Sequence, residues 1–449
     1  MKFRTIVRGL AVVSVLAVVA AACGSDSGGG DASGSASASG GSSVDCATVE
    51  LGCAEYAAGA PIRVGTLLAI SGDTATLGQD SQNGVKLAID YLDGTFDGTP
   101  GQLVGHDVEL QNEDDLCSKE GGQTGSTKLA SDPTILAVVG TSCSSSAYGV
   151  ADKILSAKGM PLISPSNTAA GLTAVDTHQP FYARTAQNDA IQAKVVADFV
   201  YSELGLKNAA TIHDESPYAE GLTSGFKTFY EQQGGKVTAA EAIESTETDF
   251  KPLLTSIAQT NPDLIYLPDF NPACALIAKQ ALDIPDLAGV KLMGSDGCLA
   301  STFIDQAGDA AKGFYMSGPI PSPGGTTSDL LKTYNAAYKD QFGAPTASFN
   351  TNAFDAFNLI AQAVTAVAIE NSDGSVSIPR QAMMDAILGT SDYAGISGTL
   401  TCNETGDCQS VATVNIGVYT SPEVPIEGGN LDAKPIFNEE LTLAQALGG

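Results

Sequence analysis

The sequence predicts an α/β protein of two lobes, each a mostly parallel sheet with helices on both faces. Short β-branched runs alternate with helical stretches from residue 61 onward, and parallel strands joined by crossover helices are what such alternation builds. The alternation restarts after PFYARTAQND (180–189), so a second lobe follows the first. A third feature raises the question of purpose. AVVGTSCSSSAYGVA (137–151) ends an apolar run in six small residues, Thr141 to Ser146, five hydroxyl-bearing and one a cysteine, with no Lys, Arg or His among them.

The chain opens on a basic stretch, Lys2, Arg4 and Arg8, and continues into GLAVVSVLAVVAAA (9–22). This apolar run is too short for a comfortable membrane span and reads as a leader. It meets Cys23-Gly24. A basic start, an apolar core and small residues before a cysteine resemble a bacterial lipoprotein signal, with Ala20 where that pattern prefers Leu. The expectation is cleavage after residue 22, a lipid on Cys23 and attachment to the extracytoplasmic face of the cell membrane. GSDSGGGDASGSASASGGSSVD (24–45) cannot build a core and reads as a flexible tether. The tether is expected to run from 23 to 59.

Export agrees with the cysteines. Nine are present, and setting Cys23 aside leaves Cys46, Cys53, Cys117, Cys143, Cys274, Cys298, Cys402 and Cys408. An even number in an exported chain indicates disulfides, and about 105 pairings are open to eight cysteines. Their spacing favours nearest neighbours in chain order. No C-x-x-C occurs, which argues against a zinc ribbon or a thioredoxin-type site. With 22 Lys and Arg against 51 acidic residues, the formal net charge is -29. Such a surface repels phosphate backbones and excludes nucleic acid as a partner.

In the first lobe, IRVGTLLAI (62–70) is a buried strand, GQDSQNGVKLAIDYL (78–92) a helix, VELQNED (108–114) a strand, ILAVVG (135–140) the next, and MPLISPS (160–166) another. In the second, IQAKVVADFVYSEL is helical and NAATIHD (208–214), GGKVTAAEAI (234–243), DLIYLPDF (263–270) and VKLMGSD (290–296) are strands. LLKTYNAAYKDQF, NAFDAFNLIAQAVTAVAIE and SIPRQAMMDAIL are later helices, and ISGTLTC…QSVATVNIGVYT reads as a β-hairpin. The expected boundaries are 60–185 and 318–395 for the first lobe, 186–317 and 396–449 for the second.

Ligands of open parallel sheets sit beyond the carboxyl ends of strands. Residues 141–146 lie there, ahead of a helix expected to begin near Ser145 or Ser146, where unpaired N–H groups and hydroxyls make an uncharged anion pocket. LISPSNTAAGL (162–172) repeats the arrangement. HDESPYAEG, PDFNP and GSDG end strands of the second lobe and supply Tyr218, Phe270 and Asp296. Hydroxyls for a carboxylate, a carboxylate for an amine and aromatics between them describe a site for an amino acid.

At this point a resemblance becomes specific. CSSS after an apolar strand, the preceding EDDLC, LISPSNT, RTAQND, IHDESPYAEGL, LMGSDG, AGDAAKG and SGTLTCNETGD occur in the order found in the branched-chain amino-acid binding proteins of ABC importers, from about residue 60 to 420. The resemblance implies a two-lobed type I clamshell with three crossings between lobes, no catalysis, no cofactor and no metal. It implies a monomer that passes its ligand to the permease subunits. Carried over residue by residue, it places the ligand carboxylate on Ser144, further contacts on Ser166 and Thr168, and a ring on Tyr218. Phe270 stands where Tyr is usual, Asp296 where Glu takes the ammonium, and Leu77 where an aromatic is frequent. The family's cysteine pair falls on Cys117 and Cys143.

Enzyme readings fail on the residues. GTSCS lacks the last Gly of a nucleophile elbow, and the three histidines, His106, His178 and His213, form no motif with a serine. The acidic runs, EDDLC among them, read as solvated turns and a cap, and CNETGDC as a turn closed by a disulfide rather than a calcium loop. Two alternatives share the fold: a receptor that presents its ligand to a signalling partner, and a binder of amides, urea-like compounds or aromatic acids.

Overall fold

The computed structural model describes residues 46, 48–319, 329–409, 411–418 and 435–447. The expected leader, the lipid on Cys23 and the tether as far as residue 45 lie outside the described residues.

The first lobe is built on a six-stranded sheet in the order Gln102–Leu103, His106–Asp114, Ile62–Leu68, Ile135–Gly140, Leu162–Ser164, Tyr182–Arg184. All neighbours are parallel except the short edge strand Gln102–Leu103. Ile135–Gly140 is buried throughout, as expected of a strand covered on both faces. Successive side chains go to opposite faces. Val64, Val139 and Ile163 join one core with Phe354, Phe357 and Ile360. Leu67, Val138 and Leu162 join the other with Leu129 and Leu155.

The second lobe has a seven-stranded sheet: Phe437–Thr442, Val411–Val418, Tyr315–Pro319, Lys291–Gly294, Leu264–Tyr266, Asn208–His213, Lys236–Ala242. Its five central and far-edge strands run parallel, and the last two strands of the chain are added antiparallel at one edge. Ile212 and Ile265 face a core with Leu254, Ile277 and Phe303. Leu264 and Tyr266 face another with Val195, Leu222 and Phe226. This is the two-lobed, mostly parallel α/β architecture expected.

The helices Ala75–Asp90 and Asn350–Val367 pack so closely that a Cβ on Gly84 would lie 2.1 Å from the Asn350 carbonyl oxygen. Only glycine permits that approach.

Four disulfides join Cys46 to Cys53, Cys117 to Cys143, Cys274 to Cys298 and Cys402 to Cys408.

Three expectations are corrected. The ordered body begins before residue 60: Cys53–Tyr56 is a strand antiparallel to Val376–Pro379. Ala54 and Tyr56 are buried in the first lobe's core, and the Tyr56 hydroxyl donates to the Thr134 carbonyl at 2.9 Å. The C-terminal hairpin does not form as one unit. Thr399–Leu400 pairs with Tyr393–Ala394, and Ile396, Leu400 and Cys408 pack in the first lobe's core. Only Val411–Val418 crosses to the second sheet, so 396–409 belongs with the first lobe. Finally, EDDLC is not wholly solvated, because Asp115 is fully buried.

Candidate functional site

The hydroxyl run begins at Gly140, which ends its strand at φ +151° with no room for a Cβ against the Leu67 carbonyl. The helix that follows starts at Ser144, one or two residues earlier than expected, and is interrupted at Tyr148 and Gly149. Most of the hydroxyls bind protein. Ser142 N donates to Asp115 Oδ2 at 2.6 Å, and Ser142 Oγ accepts from Ala69 N at 3.0 Å. Ser145 Oγ donates to the Cys117 carbonyl at 3.1 Å, and Ser146 Oγ to that of Asp115 at 3.3 Å. Ser166 Oγ donates to the Ser142 carbonyl at 2.8 Å. The run is therefore chiefly a bolt joining three loops at the carboxyl edge of the sheet. Burial pushes the Asp115 carboxyl up to about 7, against the pull of the Ser142 and Cys117 N–H groups. Ser144 is the member of the CSSS serines that faces the cleft, and its Oγ accepts from Ala169 N at 3.2 Å.

The facing wall comes from the second lobe. Ser216 caps the helix Pro217–Gln232 by accepting from Ala219 N, which fixes Tyr218 in the first turn. The Tyr218 hydroxyl accepts from Gly297 N at 2.9 Å, and its ring lies 5.1 Å from that of Phe270. Asp296 opens the short 3₁₀ turn Asp296–Cys298 after the strand Lys291–Gly294. Its Oδ1 accepts from Gln192 Nε2 at 2.7 Å, and Gln192 also donates to Ser317 Oγ at 3.1 Å. Burial pushes the Asp296 carboxyl up to about 6, with the Gln192 amide pulling the other way.

These residues enclose a small cavity between the two walls. Leu77, Ser144, Ser166, Tyr218, Phe270 and Asp296 all line it. Thr168 does not; it is fully buried in its loop, with its carbonyl accepting from Asp189 N at 3.0 Å. Among the described residues no Lys, Arg or His lines the cavity, and Asp296 has no salt bridge.

Several residues with no assigned role in the sequence reading belong to this site. Asp189 is buried, and burial, with the charge of Asp296 adding, holds its carboxyl well above the usual range. Asp189 and Gln192 stand three apart on one helix, a face-sharing interval. Two buried polar residues in an otherwise apolar helical run were the signal available. Asn271, Thr302, Ala347 and Phe349 also line the cavity. Only the packing of loops from both lobes brings them there.

The arrangement can hold a small zwitterion. It offers the hydroxyl-bearing Ser144 and Ser166 on one wall, and a carboxyl without a cationic partner on the other. Among the described residues no serine is hydrogen-bonded to a histidine, and no cluster of potential metal ligands occurs.

The periplasmic binding protein family matches residues 61–415. The Leu/Ile/Val-binding protein homolog 3 of Brucella melitensis is 26% identical over 81% of this chain and 92% of its own length. The Leu/Ile/Val-binding protein BraC3 of Rhizobium johnstonii is 27% identical over 78% and 90%. The crystal structure of the branched-chain amino acid transporter substrate binding protein LivJ from Streptococcus pneumoniae, in complex with isoleucine, superposes with a TM-score of 0.70. The two share 24% identity, covering 85% of this chain and 99% of that one. The family model spans most of the chain, with segments of both lobes: this chain belongs to the periplasmic binding protein family.

Proposed function

We propose that this protein captures an amino acid between its lobes and delivers it to an ABC importer. The buried Asp296 carboxyl, uncompensated by any Lys or Arg, carries this reading. A charge in such a place costs several kcal/mol unless a cation meets it, and an α-ammonium supplies one. Ser144 takes the carboxylate, with Ser166 beside it and Thr168 buttressing the loop behind. Tyr218 and Phe270 cover the ligand, and Leu77 meets its side chain. The relatives are named for leucine, isoleucine and valine, which supports a compact, branched side chain. The protein works as a monomer, held to the extracytoplasmic face of the membrane by a lipid on Cys23, with the chain to residue 45 as its tether. Closure of the lobes on the ligand follows from the division of contacts between them.

Calorimetry with leucine, its des-amino analogue 4-methylpentanoate and its decarboxylated analogue 3-methylbutylamine tests the reading. Leucine is expected to bind at least a hundredfold more tightly than either analogue. Equal binding of leucine and 4-methylpentanoate would remove the ammonium from the account and favour a simple carboxylic acid.

A further inference from the structure

Two polar atoms on residues lining the cavity have no hydrogen-bond partner: Asn271 Oδ1 and Thr302 Oγ1. Asn271 is 5% exposed. Its amide orientation is set by chemistry, because Nδ2 meets the Cys298 carbonyl at 3.2 Å and a carbonyl can be met only by the N–H side of an amide. The unpartnered atom is therefore an acceptor. Thr302 is the second residue of the helix Ser301–Ala307, after Ser301, whose N–H donates to the Thr346 carbonyl of the first lobe at 3.1 Å. The Thr346 hydroxyl in turn donates to the Thr76 carbonyl at 3.2 Å, beside Leu77. These bonds gather Asn271, Thr302, Leu299, Ala347, Phe349 and Leu77 into one part of the wall. With Ser144 and Asp296 engaged by the ligand's two charged groups, this part is left for its side chain.

We infer that the preferred ligand is an amino acid with an uncharged side chain bearing a hydrogen-bond donor, a hydroxyl or a carboxamide. The inference rests on the amino-acid reading above. A donor on the side chain satisfies Asn271 Oδ1, and Thr302 completes the pair as donor or acceptor. An acidic side chain finds no cation, since no Lys, Arg or His lines the cavity among the described residues. A cationic side chain finds only Asp73, exposed at the rim, once Asp296 is occupied. An aliphatic side chain leaves both buried groups without partners, a loss that corresponds to about tenfold or more in affinity.

Two isosteric pairs isolate the effect: threonine against valine, and asparagine against leucine. Calorimetry on the wild-type protein is expected to show threonine or asparagine bound about tenfold or more tightly than its apolar isostere. Thr302→Val is expected to narrow that gap severalfold, by weakening the polar ligand and strengthening the apolar one. Asn271→Leu should invert the preference, with circular dichroism checking that the variant is folded. Wild-type protein that binds valine and leucine as tightly as threonine and asparagine overturns the inference and leaves the amino-acid reading intact. Failure to bind any of the four overturns both.

Discussion

Gln192, on the helix that opens the second lobe, donates its amide to the Asp296 carboxylate at 2.7 Å. The bond favours the ionised form of a carboxyl that burial otherwise drives toward protonation. Gln192→Met keeps the shape and removes the donor. The midpoint of the pH dependence of ligand affinity should move upward, with binding at pH 7 weakened about tenfold and regained in part at higher pH. A uniform loss at every pH would assign Gln192 a packing role only.

The pH dependence of the wild-type protein has two opposite signs. Asp296 sits near 6 instead of 3.8 in the empty protein, and a bound ammonium needs it ionised. Affinity should be nearly full above about pH 7, about half that near pH 6 and about tenfold lower at pH 5. Stability of the empty protein should run the other way. Asp80, Asp115 and Asp355 are raised by burial to about 6, 7 and 6. The stability tied to their protonated forms is fully present below about pH 4 and is lost as pH rises through 6 to 7. Thermal melts should show a higher Tm at pH 5 than at pH 7.5 without ligand. A Tm that rises over that interval would show these carboxyls do not govern it.

The disulfide between Cys117 and Cys143 closes a loop with a sequence separation of 26. Chain entropy alone assigns it about 3.5 kcal/mol. Replacing both cysteines with serine should lower stability by about that amount in urea titration. Ligand affinity should fall as well, because Ser145 bonds the Cys117 carbonyl and the bridge anchors the start of the hydroxyl loop. A variant with unchanged stability would mean the bridge is absent or redundant.

The proposed attachment rests on one sulfur. Cys23→Ser removes the atom to which a thioether-linked lipid attaches, and membrane fractionation should find the variant released. A variant that partitions with membranes as the wild type does would rule out this anchor.

Much of this architecture is legible in the sequence, because a strand such as Ile135–Gly140, buried on both faces, must be apolar throughout. Tyr218, Phe270 and Asp296 are legible as a group for a related reason. Each lies a few residues beyond the carboxyl end of a parallel strand, and that is where such sheets place their ligands. What escaped was set by long-range pairing. Cys53–Tyr56 is four residues long and looks like linker until Val376–Pro379, more than three hundred residues later, pairs with it. Nothing local tells Ser144, in the cleft, from Ser145 and Ser146, which tie down the loop at Cys117 and Asp115. Asn271 and Thr302 reach the cavity only because the Leu299–Ser301 stretch bonds the Thr346–Ser348 stretch of the opposite lobe.

The central claim is that the Asp296 carboxylate receives the ammonium of an amino acid, and Asp296→Asn tests it most directly. The substitution keeps the shape and the oxygen facing Gln192 while removing the charge. Titration calorimetry at pH 7.5 should show affinity for amino acids reduced by about 3–5 kcal/mol, on the order of a hundredfold to a few thousandfold. The Tm of the empty variant should be equal to or above that of the wild type, since a costly buried charge is gone. An Asp296→Asn variant that binds its amino acid with wild-type affinity would contradict the account.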